Sequence, residues 1–445
     1  MAIRRKTVIV AGSIVALAVI GAALVVPVLV NPDRYRAQVI SFLEKATGKQ
    51  IEIGHIGVNW IPLSIRIDNL GVRNPKPFPA GDVLKTARID ASLDAGELLH
   101  RRVVIKSLVL HDPVINVISD PDGLWNFENP PSPTQKRAPS FALGVISLVV
   151  IESGELFGSS LIDPEDRPGP VVLEAHGLGA RLEQLNFDAF LGSSSSAVAH
   201  GDMAASSLRF GSIAATKVKC KLRLQAREVL IGDVKAELYG GVAQGDLSFN
   251  LSGKTPTFQA DARLNRVNVD HLLLAAFRSA HGKIMGTMEG DVKLAGPIEH
   301  TFEPLAAMHG TGHVTVRNGK APTLMLNQNL MKLAHFNNLG PAKEDASSFA
   351  FISAEMELAH QRISSKKIDV DGYGVDVDGA GTISVSGSDD LAFAGIAAIT
   401  TKQGFFTNIA ARLSGATVKD GKISFPFRVS GTVANPTFTK GKKED

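Results

Sequence analysis

The chain has 445 residues, of which 20% are charged in near balance for a formal net charge of +3, so it lacks the global field that nucleic acid or a strongly acidic partner demands. Its single cysteine, Cys220, excludes an intramolecular disulfide. Abundant glycine (42 residues), few aromatics (6%) and many short alternating runs point to a β-rich protein with frequent turns, and the length suggests two or three lobes.

The chain opens on Arg4, Arg5 and Lys6, followed by an uncharged run that ends at Val30. As a helix, Val8 to Val30 would reach ~34 Å, enough for a hydrocarbon core of about 30 Å. A cleaved signal at Ala16-Leu17-Ala18 would leave Val19 to Val30 as an apolar new terminus, so a retained anchor is favoured. The basic start predicts a cytoplasmic N-terminus, with the chain after 31 across the membrane. Twin-arginine export is the weaker alternative, because Arg4-Arg5 lacks the surrounding pattern.

Asn31 is placed to cap a helix with Pro32 at its first position. Tyr35, Val39, Phe42, Leu43 and Ala46 follow at helical spacing, and Gly48 supplies the stop. This amphipathic helix could lie on lipid or cap a sheet, and the strand that follows at once favours capping. From Gln50 the period becomes two. Ile51 and Ile53 flank Glu52; Leu63, Ile65 and Ile67 alternate with Ser64 and Arg66; Ala87, Ile89, Ala91 and Leu93 alternate with Arg88, Asp90 and Ser92.

The prolines of 129–140 and the serines of 193–196 read as connections. Val218, Cys220, Leu222 and Leu224 share one strand face, opposite the basic row Lys217, Lys219, Lys221 and Arg223. That row reads first as a solvated face and second as a headgroup site. Phe258, Ala260, Ala262 and Leu264 oppose Gln259, Asp261, Arg263 and Asn265. Short helices are expected at Asp270 to Ala280 and Thr323 to Phe336. Gly286, Gly312, Gly381 and Gly431 read as the starts of hairpin strands in a long meander. Ile423, Phe425, Phe427, Val429 and Val433 form one face of a last strand.

Catalytic signatures are missing: there is no G-x-S-x-G, no phosphate-binding G-x-x-x-x-G-K-[ST] and no H-E-x-x-H. His309 and His313 are separated by glycines and lack a catalytic Glu, so a metal there is disfavoured. Cys220, on an apolar face, reads as packing. Asp369, Asp371, Asp376 and Asp378 around Gly372-Tyr373-Gly374 could hold calcium, but their spacing fits no EF-hand and reads better as a hairpin with its acids in water. No enzyme, cofactor or metal site is expected.

Three segments carry a family resemblance. One runs from the basic start and span through Asn31-Pro32-Asp33-Arg34-Tyr35 to Glu44-Lys45-Ala46-Thr47-Gly48-Lys49-Gln50-Ile51-Glu52-Ile53. The second runs from Leu108-Val109-Leu110 to Asp122-Gly123-Leu124-Trp125-Asn126-Phe127. The third comprises Tyr239-Gly240-Gly241, Gly286-Thr287 and Phe425-Pro426-Phe427-Arg428-Val429-Ser430-Gly431-Thr432, ending at Asn435-Pro436. In this order they resemble the AsmA family. The resemblance implies a mainly β protein: one transmembrane helix, then a long curled, mostly antiparallel β-sheet groove with a few short helices. It would be single-pass in the inner membrane with its bulk in the periplasm.

Larger relatives are similar to bridge-like lipid transfer proteins. The implied partners are phospholipid, the inner membrane, and a periplasmic or outer-membrane protein; no nucleic acid is expected. The expected divisions are 1–30 start and span, 31–128 helix and AsmA-like β region, 129–140 linker, 141–300 central β region, 301–440 C-terminal AsmA-like region, and 441–445 tail. Lipid-contact candidates are Val218, Leu222, Leu224, Phe258, Leu264, Ile423, Phe425, Phe427 and Val429. The alternation fits an open groove for acyl chains and equally a packed sandwich, so a scaffold that assists outer-membrane protein assembly is the alternative.

Overall fold

The alternating runs become strands in the computed structural model. It describes residues 32–60, 63–94, 96–97, 104–120, 125–127, 145–161, 168–186, 197–225, 228–250, 257–276, 282–297, 307–333, 347–384, 390–400, 416–419, 422–432 and 434–441. The basic start (Arg4, Arg5, Lys6), the run from Val8 to Val30, the proline-rich 129–140 and the serines of 193–196 lie outside these residues. Among the described residues no helix is long and apolar enough to cross a membrane. Two units are resolved: Met1–Ala236 with Ser248–Pro256, and Glu237–Leu247 with Thr257–Asp445.

In the first unit a turn, Pro32–Tyr35, precedes α1 (Arg36–Thr47). The helix therefore starts four residues later than the Pro32 signal suggested, and Tyr35 at its N-cap makes no side-chain capping bond. The first turn serves another purpose, closing the edge of β1 (Ile51–Trp60). Asp33 Oδ1 accepts from the Ile56 amide at 3.1 Å, and the Arg36 guanidinium donates to the Gly54 carbonyl. Unpaired edge groups are thereby satisfied. The expected stop holds: Gly48 takes φ 69° and its amide reaches the Glu44 carbonyl at 2.8 Å. Val39 and Leu43 are buried among Ile51, Ile53 and their neighbours, so the apolar stripe of α1 caps the sheet.

The sheet continues through β2 (Leu63–Arg73) and β3 (Asp82–Leu93), both antiparallel. β4 (Ile105–His111) and β5 (Val114–Ser119) both pair with β3 on one side. On the other side they run parallel to β6 (Val145–Leu161), so the sheet is mixed at this point. β7 (Pro168–Asn186), β8 (Ala197–Phe210), β9 (Ile213–Gln225) and β10 (Glu228–Leu238) then follow as neighbours. The inward pattern departs from strict alternation on three adjacent strands. Buried positions step by three from Ile53 to Ile56, from Ile67 to Leu70 and from Thr86 to Ile89. Asn69, at φ 52°, sits at the middle step. Ala87, expected on the apolar face, is consequently exposed, while Thr86 is buried with its hydroxyl on the His111 carbonyl at 2.7 Å.

After β11 (Gly241–Asn250), the second unit is an antiparallel meander. Its strands are β12 (Thr257–Asn268), β13 (Met285–Pro297), β14 (His309–Lys320), β15 (Ser348–Ala359), β16 (Arg362–Asp371), β17 (Val375–Ser384) and β18 (Leu391–Thr400). β20 (Lys422–Gly431) pairs with β18, with β19 (Thr417–Lys419) and with β21 (Pro436–Lys440). Gly312 and Gly381 lie inside strands instead of starting them. A Cβ at Gly310 would strike the Lys293 carbonyl, so only glycine allows β13 and β14 to approach this closely on that face.

Two helices accompany the meander. α2 (Val269–Ala276) is capped by Asn268, whose Oδ1 accepts from the His271 amide at 3.1 Å. Asp270, where the sequence pattern places the start of this helix, accepts from the Gly282 amide at 2.6 Å. α3 (Leu326–Leu333) buries Leu330 completely.

Asn126 is wholly buried in the first unit and makes five hydrogen bonds through its side chain and backbone. Its Oδ1 accepts from the Ile118 amide at 3.0 Å, and its Nδ2 donates to Asn74 Oδ1 at 2.9 Å and to the Asn116 carbonyl at 2.8 Å. Its own carbonyl accepts from the buried Lys49 ammonium at 3.0 Å. Two of the segments singled out in the sequence thus meet here, Gly48-Lys49-Gln50 and Trp125-Asn126-Phe127. Asn126→Ala should orphan several buried groups and cost roughly 3 kcal/mol. Hydrogen exchange of the full chain should show faster exchange across β5; unchanged protection there would disprove the network's structural role.

Candidate functional site

The inner face of the second unit has two halves. In one, the strands converge on a dry core. Val375, Ile399, Ile423 and Phe427 are at most 2% exposed, and Val316, Phe349, Val370, Val377, Ala397, Phe425 and Val429 are buried with them. Leu272 and Leu273 of α2 and Leu326, Leu330, Met331 and Leu333 of α3 belong to the same packing. Phe427 lies 5.5 Å from the Phe393 ring and 6.4 Å from Phe438, the latter stacked.

The other half is apolar and, apart from the buried Leu358, only half-buried or exposed. Cross-strand register places Ala260, Leu294, Gly310, Leu358, Ile363 and Ile383 side by side on six neighbouring strands. At ~4.8 Å between strands this row spans ~24 Å, longer than the ~15 Å hydrocarbon depth of one leaflet. A parallel row holds Ala262, Val292, Gly312 and Met356. Phe258, Ala262, Val292, Leu294, Met356 and Ile363 are half-buried, and Ile383 is 37% exposed. Apart from the packed rim formed by Leu264, Val314, Leu391 and Phe393, these residues lie outside the core cluster. Gly310 and Gly312 leave the middle of the face without side chains.

The opposite face is wet and charge-paired. Asp261 stands across from Lys293, with 3.2 Å between the charged groups, and Arg263 across from Asp291 at 2.9 Å. The guanidinium of Arg263 is pushed up by its hydrogen bond to Asp291 and that residue's charge. Such exposed pairs are worth little in stability but fix which face is outward.

The four aspartates form the expected hairpin. Asp371 stands opposite Asp376 and Asp369 opposite Asp378, with the turn at Gly372-Tyr373-Gly374. Their like charges are relieved by lysines: Lys422 Nζ reaches Asp376 Oδ2 at 2.5 Å, and Lys367 reaches Asp369 at 3.6 Å. Among the described residues, no group of three or more His, Cys, Asp or Glu side chains could hold a metal ion. Cys220 is buried, and that burial pushes its thiol up, away from the nucleophilic thiolate.

The candidate lipid contacts thus fall into three environments. Phe258 and Leu264 line or rim the half-open face. Ile423, Phe425, Phe427 and Val429 lie in the packed core. Val218, Leu222 and Leu224 lie in the first unit, where Val218 packs with Ala175, Ala205 and Ala236, and Leu224 against the larger core. Leu294, Val292, Met356 and Ile363 were missed as site residues. Their signal was present, since Val292 and Leu294 alternate with Asp291 and Lys293, and Met356 and Leu358 with Glu355 and Glu357. The expected membrane-anchor residues Arg4, Arg5, Lys6, Val8 and Val30 are outside the described residues.

A family model for the AsmA family matches residues 1–170, which bears out that assignment from the first two sequence segments. No curated protein matches the chain.

The two halves of the face should respond differently to charge. Phe427→Asp should destabilise the second unit by roughly 5 kcal/mol, through a lost core ring and a buried carboxylate. Phe258→Asp, on the half-open side, should cost only about 1 kcal/mol. Thermal unfolding of the full chain in detergent, with hydrogen exchange over β18 and β20, reads both; equal losses would mean the whole face is packed.

Proposed function

We propose, on the AsmA match over residues 1–170 and the half-open apolar face of the second unit, that this chain is a membrane-anchored envelope protein that handles lipid. In this reading the apolar run from Val8 to Val30 holds the chain in the inner membrane, with the bulk in the periplasm. Phospholipid acyl chains rest on the rows through Leu294 and Val292, conveyed or shielded there, and the protein supports outer-membrane lipid homeostasis without covalent chemistry. Each CH₂ moved from water to such a surface gains ~0.8 kcal/mol, which offsets much of the cost of leaving a bilayer. The observation that carries the reading is an apolar face, longer than one bilayer leaflet is deep, whose rows stay half-buried or exposed apart from Leu358. The packed core around Phe427 is what favours the second reading, a scaffold for outer-membrane protein assembly.

Native mass spectrometry of the full chain, extracted in a mild detergent, should show bound phospholipid. The double variant Leu294→Asp/Ile363→Asp should lower that occupancy several-fold while the unfolding temperature moves little. A lipid-free protein that also takes up no fluorescent phospholipid would sink the lipid reading. Depletion that alters outer-membrane protein levels while lipid exchange stays normal would establish the scaffold instead.

A further inference from the structure

The outward, charged face of the first unit carries a concavity of about 730 Å³ across β7 to β10. Two rows of residues build it. Arg181, Asp202 and Lys221 stand side by side on β7, β8 and β9, and Lys221 Nζ meets Asp233 Oδ2 of β10 at 2.7 Å. The next row reads Gly179, Ala204, Lys219, with Lys235 lining the same hollow from β10. Gly179 and Ala204 have almost no side chain, so they form a floor, and the longer chains around them form a rim.

The charges on that rim do not cancel. Arg181, Lys219, Lys221 and Lys235 face Asp202 and Asp233. Lys221 and Asp233 satisfy each other: their hydrogen bond pushes the ammonium up and the carboxyl down. Arg181 makes a longer contact with Glu183, at 3.8 Å. Lys219 and Lys235 line the hollow from the neighbouring strands β9 and β10. Among the described residues neither lysine forms an ion pair, and like charges gathered around one hollow repel. The charge of Lys235 also helps to hold the Asp233 carboxyl down.

We infer that this hollow is an anion site for a phosphate-type group, held between Lys219 and Lys235 over the Gly179–Ala204 floor, with Arg181 at the rim. A bound anion would turn the Lys219–Lys235 repulsion into two charge-assisted hydrogen bonds. The backbone floor brings the ligand close to the sheet, where its field is less diluted by water than over a flat surface. Inorganic phosphate and an anionic phospholipid headgroup offer this same chemistry. The site is on the wet face, so it stands or falls independently of acyl chains on the inner face of the other unit.

The test uses the full chain in a neutral detergent at low ionic strength, titrated with inorganic phosphate and followed by thermal unfolding and phosphorus NMR line broadening. In a second arm the chain is placed in lipid nanodiscs, with phosphatidylglycerol compared against phosphatidylcholine. Wild-type protein should show saturable binding, weakened about tenfold or more in Lys219→Gln/Lys235→Gln. Lys293→Gln, which removes a lysine already paired with Asp261, should bind as wild type. Without anion, the double variant should be at least as stable as wild type, because the repulsion is gone. A response to free phosphate alone identifies a soluble anion; a response to phosphatidylglycerol alone identifies a headgroup; either supports the site. No saturable response in the wild type, an unaltered response in the double variant, or an equal loss in Lys293→Gln would overturn it.

Discussion

A strand sends successive side chains to opposite sides, so every apolar residue on the inner face of a sheet needs a cover, and every polar one on the outer face needs water or a partner. The rest of this protein follows from how that inner face is covered. With one buried cysteine and no possible internal disulfide, backbone ladders and apolar burial must hold the fold. In the first unit, α1 lays Val39 and Leu43 over the start of the sheet. In the second, α2 and α3 cover one half of the face. The half that they leave stays largely half-buried, and it is there that we propose acyl chains rest.

Polar residues act where the ladders alone are insufficient. Asp33 and Arg36 finish the edge of β1, which would otherwise offer unpaired amides and carbonyls to another chain. Asn126 ties the segment after β5 to Asn74, Asn116 and Ile118, and Lys49 closes the same network from the end of α1. Both groups tie backbone within the first unit, and they lie within the residues that match the AsmA family.

The outer faces show the complementary logic. Opposite charges stand directly across from each other at Asp261–Lys293 and Arg263–Asp291, while the aspartates of the β16–β17 hairpin borrow Lys422 and Lys367. Individually such exposed pairs contribute little stability. Collectively they make a one-residue slip costly, because a slip would turn these charges inward. Lys219 and Lys235 break the pattern.

The sequence by itself determined the strands, their two faces and the helix that caps the first sheet, because periodicity, Gly48 and the apolar spacing of α1 act over a few residues. It assigned Phe258 and Phe427 to inward faces with equal ease, and both assignments hold in the burial patterns. What alternation could not reveal is that Phe427 is sealed and Phe258 is half open. That difference depends on where α2 and α3 land, and on which residues stand beside each other across strands far apart in sequence. The slip at Ala87 shows the same dependence on pairing: Ala87 falls between the pairs Asp68–Arg88 and Leu70–Thr86, across from Asn69 at φ 52°, where the inward pattern of the neighbouring strand also steps by three. Only the folded chain brings Lys219 and Lys235 to one hollow and Lys49 to Asn126, since charge and hydrogen-bond partners are chosen by distance in space and not by distance along the chain.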